Sequence, residues 1–314
     1  MNNSFEAENK FNYIASDDME GERVDKVMSS LSDSMSRSYI QKLIKDKKVL
    51  LNGKPVKAST SVSEGDLLEM EIPKSVVPDI EPEDIPLDII YEDSDVLVVN
   101  KPKGMVVHPA AGHYNGTLVN ALMYYLGDDL SGINGVMRPG IVHRIDRDTT
   151  GSIIICKNDI AHRCIADQLK EHSLNRIYHA ICYGILKDDE GTIIGNIGRS
   201  ATDRKKMAVV PDGQGKTAVT HYKVLKRFEK DKMTYIECKL ETGRTHQIRV
   251  HMSHIGHPLL GDTVYGPSMK SKFKLEGQCL HAKVLGFKHP VTGEYIETDA
   301  PFPEYFQHLL NVLQ

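Results

Sequence analysis

Between Lys74 and Leu87 the chain carries Pro78, Pro82 and Pro86 among acidic residues, with no apolar face of helical or strand period. Such a stretch reads as a linker and divides the 314 residues into two unequal parts. The expected organisation is a flexible arm over 1–19, a small domain over 20–73, the linker over 74–87, and a larger domain over 88–314. With 40% hydrophobic and 26% charged residues, the composition suits globular domains rather than disorder.

The small domain is patterned as helix, hairpin and strand. Ser36 can cap a helix in which Ile40, Leu43 and Ile44 fall on one side, leaving Arg37, Gln41, Lys42 and Lys45 toward solvent. Val49, Leu50, Leu51 and Val56 flank Asn52-Gly53, a pair that tolerates the positive φ angles of a tight turn. After Glu64-Gly65-Asp66, the alternation of Leu68, Met70 and Ile72 with Glu69 and Glu71 describes a half-buried strand. The net charge of -4 argues against a nucleic-acid partner only if charge is spread evenly, and it is not. Acidic residues gather at Glu6 to Asp25 and Asp79 to Asp95, whereas Arg37, Lys42, Lys45, Lys47, Lys48, Lys54 and Lys57 are interrupted by Asp46 alone.

In the larger part, strands are expected at Val96 to Val99, Ser152 to Cys156, Ile177 to Cys182 and Met233 to Leu240, and helices at Thr117 to Leu126 and Ala161 to Glu171. Thr245 can cap a further helix running to about Ile255. The absence of a regular βαβ rhythm indicates an α+β fold with a mixed or antiparallel sheet. No apolar stretch approaches the ~20 residues needed to cross a bilayer, and the polar N-terminus is unlike a signal peptide, so a cytoplasmic protein is expected. The five cysteines form no C-x-x-C pair and read as reduced, mostly packed thiols.

Three segments carry candidate chemistry. His143-Arg144-Ile145-Asp146-Arg147-Asp148 sets two carboxylates among arginines just before an apolar strand, although an Arg/Asp-rich turn is often only a neutralised surface. Thr242-Gly243-Arg244-Thr245-His246-Gln247-Ile248-Arg249 brings cations to the start of a helix, where they suit an anion or can hold a carboxylate ionised. Alternation in Arg176-Ile177-Tyr178-His179-Ala180 sends Tyr178 and Ala180 to one side of a strand, and a tyrosine there either packs or offers a ring for a base and a phenol for proton transfer.

At these segments, and at Asn100-Lys101-Pro102-Lys103-Gly104, Val107-His108-Pro109, His257-Pro258-Leu259 and Gly261-Asp262, the sequence resembles the RluA family of pseudouridine synthases from roughly Pro86 to Phe306. The Glu20 to Pro73 segment is similar to the alpha-L RNA-binding module of a ribosomal small-subunit protein, through Arg23-Val24-Asp25-Lys26, Ser36-Arg37-Ser38, Asn52-Gly53 and Gly65-Asp66. The resemblance implies a central mixed, mostly antiparallel sheet flanked by helices and loops, and isomerisation of uridines in RNA, foremost large-subunit ribosomal RNA. It implies Asp146 as the nucleophile in place of Asp148, Tyr178 as the active-site tyrosine, Arg249 as the partner of the aspartate, and Arg144 as the side chain that fills the gap left by an extruded base. Arg244 and His246 in the larger domain, with Arg37, Lys42, Lys45 and Lys48 in the smaller, complete the expected RNA contacts.

The implied reaction breaks N1–C1′ of uridine, turns the uracil and joins C5 to C1′, so it calls for no electrons, metal, nucleotide or other cofactor. Attack at C1′, removal of the C2′ proton and attack at C6 all remain open. Other readings are weaker. Gly213-Gln214-Gly215-Lys216-Thr217 resembles the end of a phosphate-binding loop, but Val210 stands where its first glycine is required, so it reads as a loop between strands. Ile145 between Arg144 and Asp146, with no D-F-G, breaks a kinase pattern. The histidines at 246, 251, 254 and 257 lack H-E-x-x-H or a cysteine pair for zinc. A cofactor-dependent methyltransferase would need a glycine-rich loop after a strand. A binding-only assembly factor would have no need of Asp146, Tyr178 and Arg249 together. A monomer is the simplest expectation.

Overall fold

The computed structural model describes residues 10–31, 37–71, 80–109, 113–127, 129–133, 139–203, 206–267 and 273–314. The chain divides into two compact units, Met1–Val77 and Pro78–Gln314.

In the first unit, β1 (Lys10–Ile14), α1 (Val24–Ser30), α2 (Arg37–Lys45), β2 (Val49–Leu51), β3 (Lys54–Pro55) and β4 (Leu67–Glu71) form a four-stranded sheet in the order β1-β4-β2-β3 with two helices. Ile40, Leu43 and Ile44 of α2 enter the core with Val24, Val27, Met28, Leu68 and Met70, as their spacing requires. Asn52 and Gly53 both have positive φ, 53° and 75°, and turn β2 into β3. Ser36 and Ile72 lie outside the described residues.

One expectation for this unit needs correction. The arm over 1–19 is in part a strand: residues 10–14 pair antiparallel with β4 along their whole length, and Ala15 is buried. Phe11 and Tyr13 stack on one side, but Ile14 is exposed on the other, which breaks the apolar alternation that would have marked the strand. In α2, Arg37 and Gln41 are exposed, as expected, and their polar ends also turn back onto α1. Both hold the fully buried carboxylate of Asp25, at 3.0 and 2.7 Å, with Arg23 also bonded to it at 3.0 Å. Burial alone would raise the pKa of Asp25, and these bonds outweigh it, so the group falls to about 2. Lys42 and Lys45 stay exposed, while Lys48 meets Glu71 at 2.7 Å.

The second unit contains β5 (Ile89–Glu92), β6 (Val96–Lys101), α3 (Leu118–Leu126), β7 (Thr150–Cys156), α4 (Asp159–Lys170), β8 (Asn175–Tyr183), β9 (Glu190–Arg199), β10 (Met207–Val210), β11 (Lys216–Phe228), β12 (Met233–Leu240), α5 (Gln247–His254), β13 (Leu280–Lys288), β14 (Tyr295–Asp299) and α6 (Glu304–Val312). The sheet runs β10-β9-β11-β12-β8-β13-β7-β6-β5, with β14 on β13. Neighbours are antiparallel except β7 and β13, so the expected α+β architecture with a mixed, mostly antiparallel sheet holds. The run Val96 to Val99 is apolar throughout because β6 is covered twice: Val96 and Val98 face α4, while Leu97 and Val99 face α3.

The parallel junction depends on Gly151. Its φ is 106°, and a Cβ there would lie 2.3 Å from the Ala282 carbonyl oxygen, so any side chain would push the two strands apart. The linker expectation over 74–87 fails in its second half. Ile80 is buried against α3, the Glu83 N–H donates to the Asn120 carbonyl at 3.0 Å, and the Asn120 side chain donates to the Glu81 carbonyl at 2.8 Å. Backbone docking of this kind has no hydrophobic period to announce it. The cysteines are free, with all but Cys164 buried, and among the described residues no helix is long and apolar enough to cross a membrane.

Candidate active site

Residues 141–149 form the loop leading into β7, and buried polar contacts fix its shape. The Ile154 N–H donates to Nε2 of His143 at 3.1 Å, and burial, reinforced by Arg176, pushes that imidazole down to about 3, so it is neutral. Lys101 is fully buried at the end of β6, and its Nζ donates to the carbonyls of Pro102, Met105 and Arg147 at 2.8, 2.8 and 2.9 Å. This one amine ties the Asn100-to-Gly104 segment to the loop that carries Asp146, and burial, opposed by the charges of Asp148 and Asp146, pulls its pKa down to about 7. Arg147 and Asp148 pair with each other at 2.9 Å.

The second wall comes from the start of α5. Thr245 is not its cap. His246 occupies that place in the left-handed conformation, φ 57°, with no side-chain capping bond. Gln247 organises the turn instead: its Oε1 accepts from the Thr242 hydroxyl and the Arg244 N–H at 2.8 and 2.9 Å, and its Nε2 donates to the Val219 carbonyl at 2.9 Å. The floor is the face of β8, β12 and β13 that packs under Ile248 and Met252, where Tyr178 is 8% exposed beside Ala180, Leu240 and Leu280.

These walls enclose a cleft of about 570 Å³ whose lining includes Arg144, Asp146, Tyr178, Arg244, His246 and Arg249. All six residues expected in a site of the larger domain therefore converge, while Arg37, Lys42, Lys45 and Lys48 belong to the other unit. Nη1 of Arg249 donates to Oδ2 of Asp146 at 2.8 Å. Nε and Nη2 of the same guanidinium grip Asp262 at 2.7 and 3.0 Å. Burial alone would lower the Arg249 pKa, but the bonds and charges of Asp262 and Asp146 raise it, so the cation is permanent. Asp262 is held below the usual carboxylate range: desolvation opposes this, and Arg249 with the N–H groups of Tyr265 and Val264 prevails.

His246 completes the arrangement. Tyr265 accepts a hydrogen bond from the Met207 N–H at 3.0 Å, and its own hydroxyl lies 2.8 Å from Nδ1 of His246. Desolvation lowers the His246 pKa. Nδ1 of His246 is tied to the Tyr265 hydroxyl, and its Nε2 lies 3.8 Å from Asp146 Oδ1. Asp146 thus keeps one oxygen on a fixed cation and turns the other toward the cleft, with a quarter of its side chain exposed. Arg144 lies exposed at the rim, and Nε of Arg244 donates to the Thr217 carbonyl at 2.9 Å. Sequence reasoning gave no role to Lys101, Arg176, Asp262 or Tyr265. The first three stand in segments that carried the family resemblance, and nothing in the sequence marks Tyr265.

Comparison with known proteins bears on the same residues. The family model described as RNA pseudouridylate synthase matches residues 95–254, and that described as S4 domain matches residues 22–68. The chain is 51% identical to "Uncharacterized RNA pseudouridine synthase YlyB" of Bacillus subtilis (strain 168), over 98% of this chain and 99% of the relative. It is 47% identical to "Ribosomal large subunit pseudouridine synthase D" of Zymomonas mobilis, over 95% of each. Among solved structures, "Human RNA Pseudouridylate Synthase Domain Containing 1" superposes with a TM-score of 0.57 at 28% identity, over 69% of this chain and 84% of that one.

Proposed function

Because the chain belongs to the RNA pseudouridylate synthase family and is thus an RNA-modifying isomerase, we propose that it converts particular uridines of large-subunit ribosomal RNA to pseudouridine, with Asp146 as the reacting carboxylate. The single observation that carries this reading is the 2.8 Å contact between Asp146 and Arg249 inside a cleft floored by Tyr178. The printed name of the Zymomonas relative supports the choice of RNA. We place the protein in the cytoplasm, where ribosomal RNA would be met, and a single chain supplies Asp146, Tyr178 and Arg249 to the cleft.

A stacked uridine has to leave its helix to reach Asp146, at a cost of a few kcal/mol. Arg144 at the rim can fill the vacated place, and Tyr178 offers a flat face for the extruded uracil. The N1–C1′ bond then breaks, the uracil turns, C5 bonds to C1′, and the C5 proton is lost while N1 gains one. Asp146 serves as nucleophile at C1′ or C6, or as base at C2′, and each route needs it charged. The bound guanidinium favours that form against desolvation when RNA closes the cleft.

Site-resolved sequencing of ribosomal RNA from a strain lacking the protein tests this directly. Pseudouridine should vanish from one or a few large-subunit positions; unchanged modification at every site would leave a binding protein without chemistry. The first unit adds affinity through exposed Lys42 and Lys45. Deleting residues 1–77 should weaken RNA binding and flatten the slope of log affinity against log salt by about one per lost phosphate contact. Equal affinity and slope in the shortened chain would show that this unit does not touch RNA.

A further inference from the structure

Arg176 on β8 is 6% exposed, yet among the described residues it has no carboxylate within ion-pair distance. Nη2 donates to the Glu241 carbonyl at 3.0 Å, whereas the buried Nε has no partner. Its other terminal nitrogen fits over Gly243, where a Cβ would stand 2.7 Å from Nη1. The glycine at 243 therefore keeps room for this guanidinium. A buried cation with one neutral acceptor is poorly compensated, in contrast to Arg249, which meets two carboxylates.

The surroundings favour an anion. Arg176 lines the cleft, and Arg144, Lys170 and Arg244 line it too, against a single carboxylate, Asp146, which Arg249 already engages. On β8, Arg176 and Tyr178 are two residues apart and both line the cleft, with Cα atoms about 7 Å apart. A nucleotide whose base meets Tyr178 would therefore carry its phosphate past a neighbouring side chain on the same face of the strand. A uracil carbonyl would be only another neutral acceptor, whereas a phosphate oxygen supplies the missing charge.

We propose that Arg176 is a positioning residue that binds a phosphate group flanking the target uridine, fixing the nucleotide between Tyr178 and Asp146. The inference rests on the reading of the cleft as a nucleotide site. It is tested on the full chain by titrating uridine, uridine 5′-monophosphate and uridine 3′-monophosphate, followed by NMR or calorimetry. At least one monophosphate should bind about tenfold tighter than uridine or better. That advantage should disappear in Arg176→Met and return in part in Arg176→Lys, with binding of uridine itself little changed. Should Arg176→Met fail to fold, Gly243→Ala, which crowds Nη1, should reduce the same ratio. No phosphate advantage in the wild type, or an undiminished one in Arg176→Met or Gly243→Ala, overturns the assignment. So does a variant that loses uridine affinity and keeps the ratio, because the guanidinium would then address the base. The titration involves no turnover, so its failure leaves the pseudouridine map to decide the proposed reaction separately.

Discussion

Asp146→Asn is expected to reduce tritium release from RNA labelled at uridine C5 by at least about a thousandfold, while folding and RNA affinity stay close to wild type. An amide cannot attack C1′ or C6 or take the C2′ proton, so every route through this side chain closes at once. The fold survives for a reason visible in the contacts: Arg249 keeps both bonds to Asp262, and the amide oxygen can still accept from Nη1. The buried cation is therefore not orphaned. Single-turnover assays, thermal melting and filter binding would check the three parts of the expectation. Wild-type tritium release from Asp146→Asn would end the proposed role of this carboxylate.

Asp262→Asn should do the reverse, harming the fold as well as the reaction. Asp262 is completely buried, accepts two bonds from Arg249, and receives the N–H groups of Val264 and Tyr265 at 2.9 and 3.0 Å. Removing its charge leaves a buried guanidinium with half its compensation, an effect on the order of 3 kcal/mol. The melting temperature of the larger unit should fall by several degrees. Turnover should drop by about a hundredfold, because Arg249 no longer holds Asp146 in place. The pH dependence has a definite sign: a carboxylate whose folded pKa is depressed stabilises above its unfolded pKa, near 4, and that contribution is lost as pH falls through the folded value. Wild-type melting should therefore decline below about pH 4 more steeply than melting of Asp262→Asn. Identical melting and turnover in the two proteins would show that Asp262 does not position Arg249.

The catalytic candidates were legible because each sits in a motif that resembles the RluA family, whereas the residues alone left a neutralised turn at 143–148 and a packing tyrosine at 178 open. Asp146, Tyr178 and Arg249 were named from three separate segments, and the sheet brings them to one cleft. Asp262 and Tyr265 were not given roles because their work is relational. Each acts on a side chain 13 to 19 residues earlier, across a turn whose path no periodicity encodes. Thr245 was expected to cap α5 because threonine is a common cap, but His246 takes the left-handed conformation at that point and Gln247 gathers the turn's hydrogen bonds. The strand at 10–14 pairs through backbone groups, which every residue carries, and the docked segment at 80–87 adds to its backbone bonds only the isolated apolar anchors Ile80 and Leu87, too few to show a period.

The place of β13 bears on biosynthesis. Among the described residues, the half of the sheet ending in β7, behind the Asp146 loop, and the half built on β8, which carries Tyr178, meet through this one strand, drawn from positions 280–288. A ribosome still short of that point has already made Asp146, Tyr178 and Arg249, yet the growing polypeptide has no strand to join the two halves of the sheet. Assembly of the cleft must therefore await β13, and a product terminated before it would carry Asp146, Tyr178 and Arg249 and remain inert.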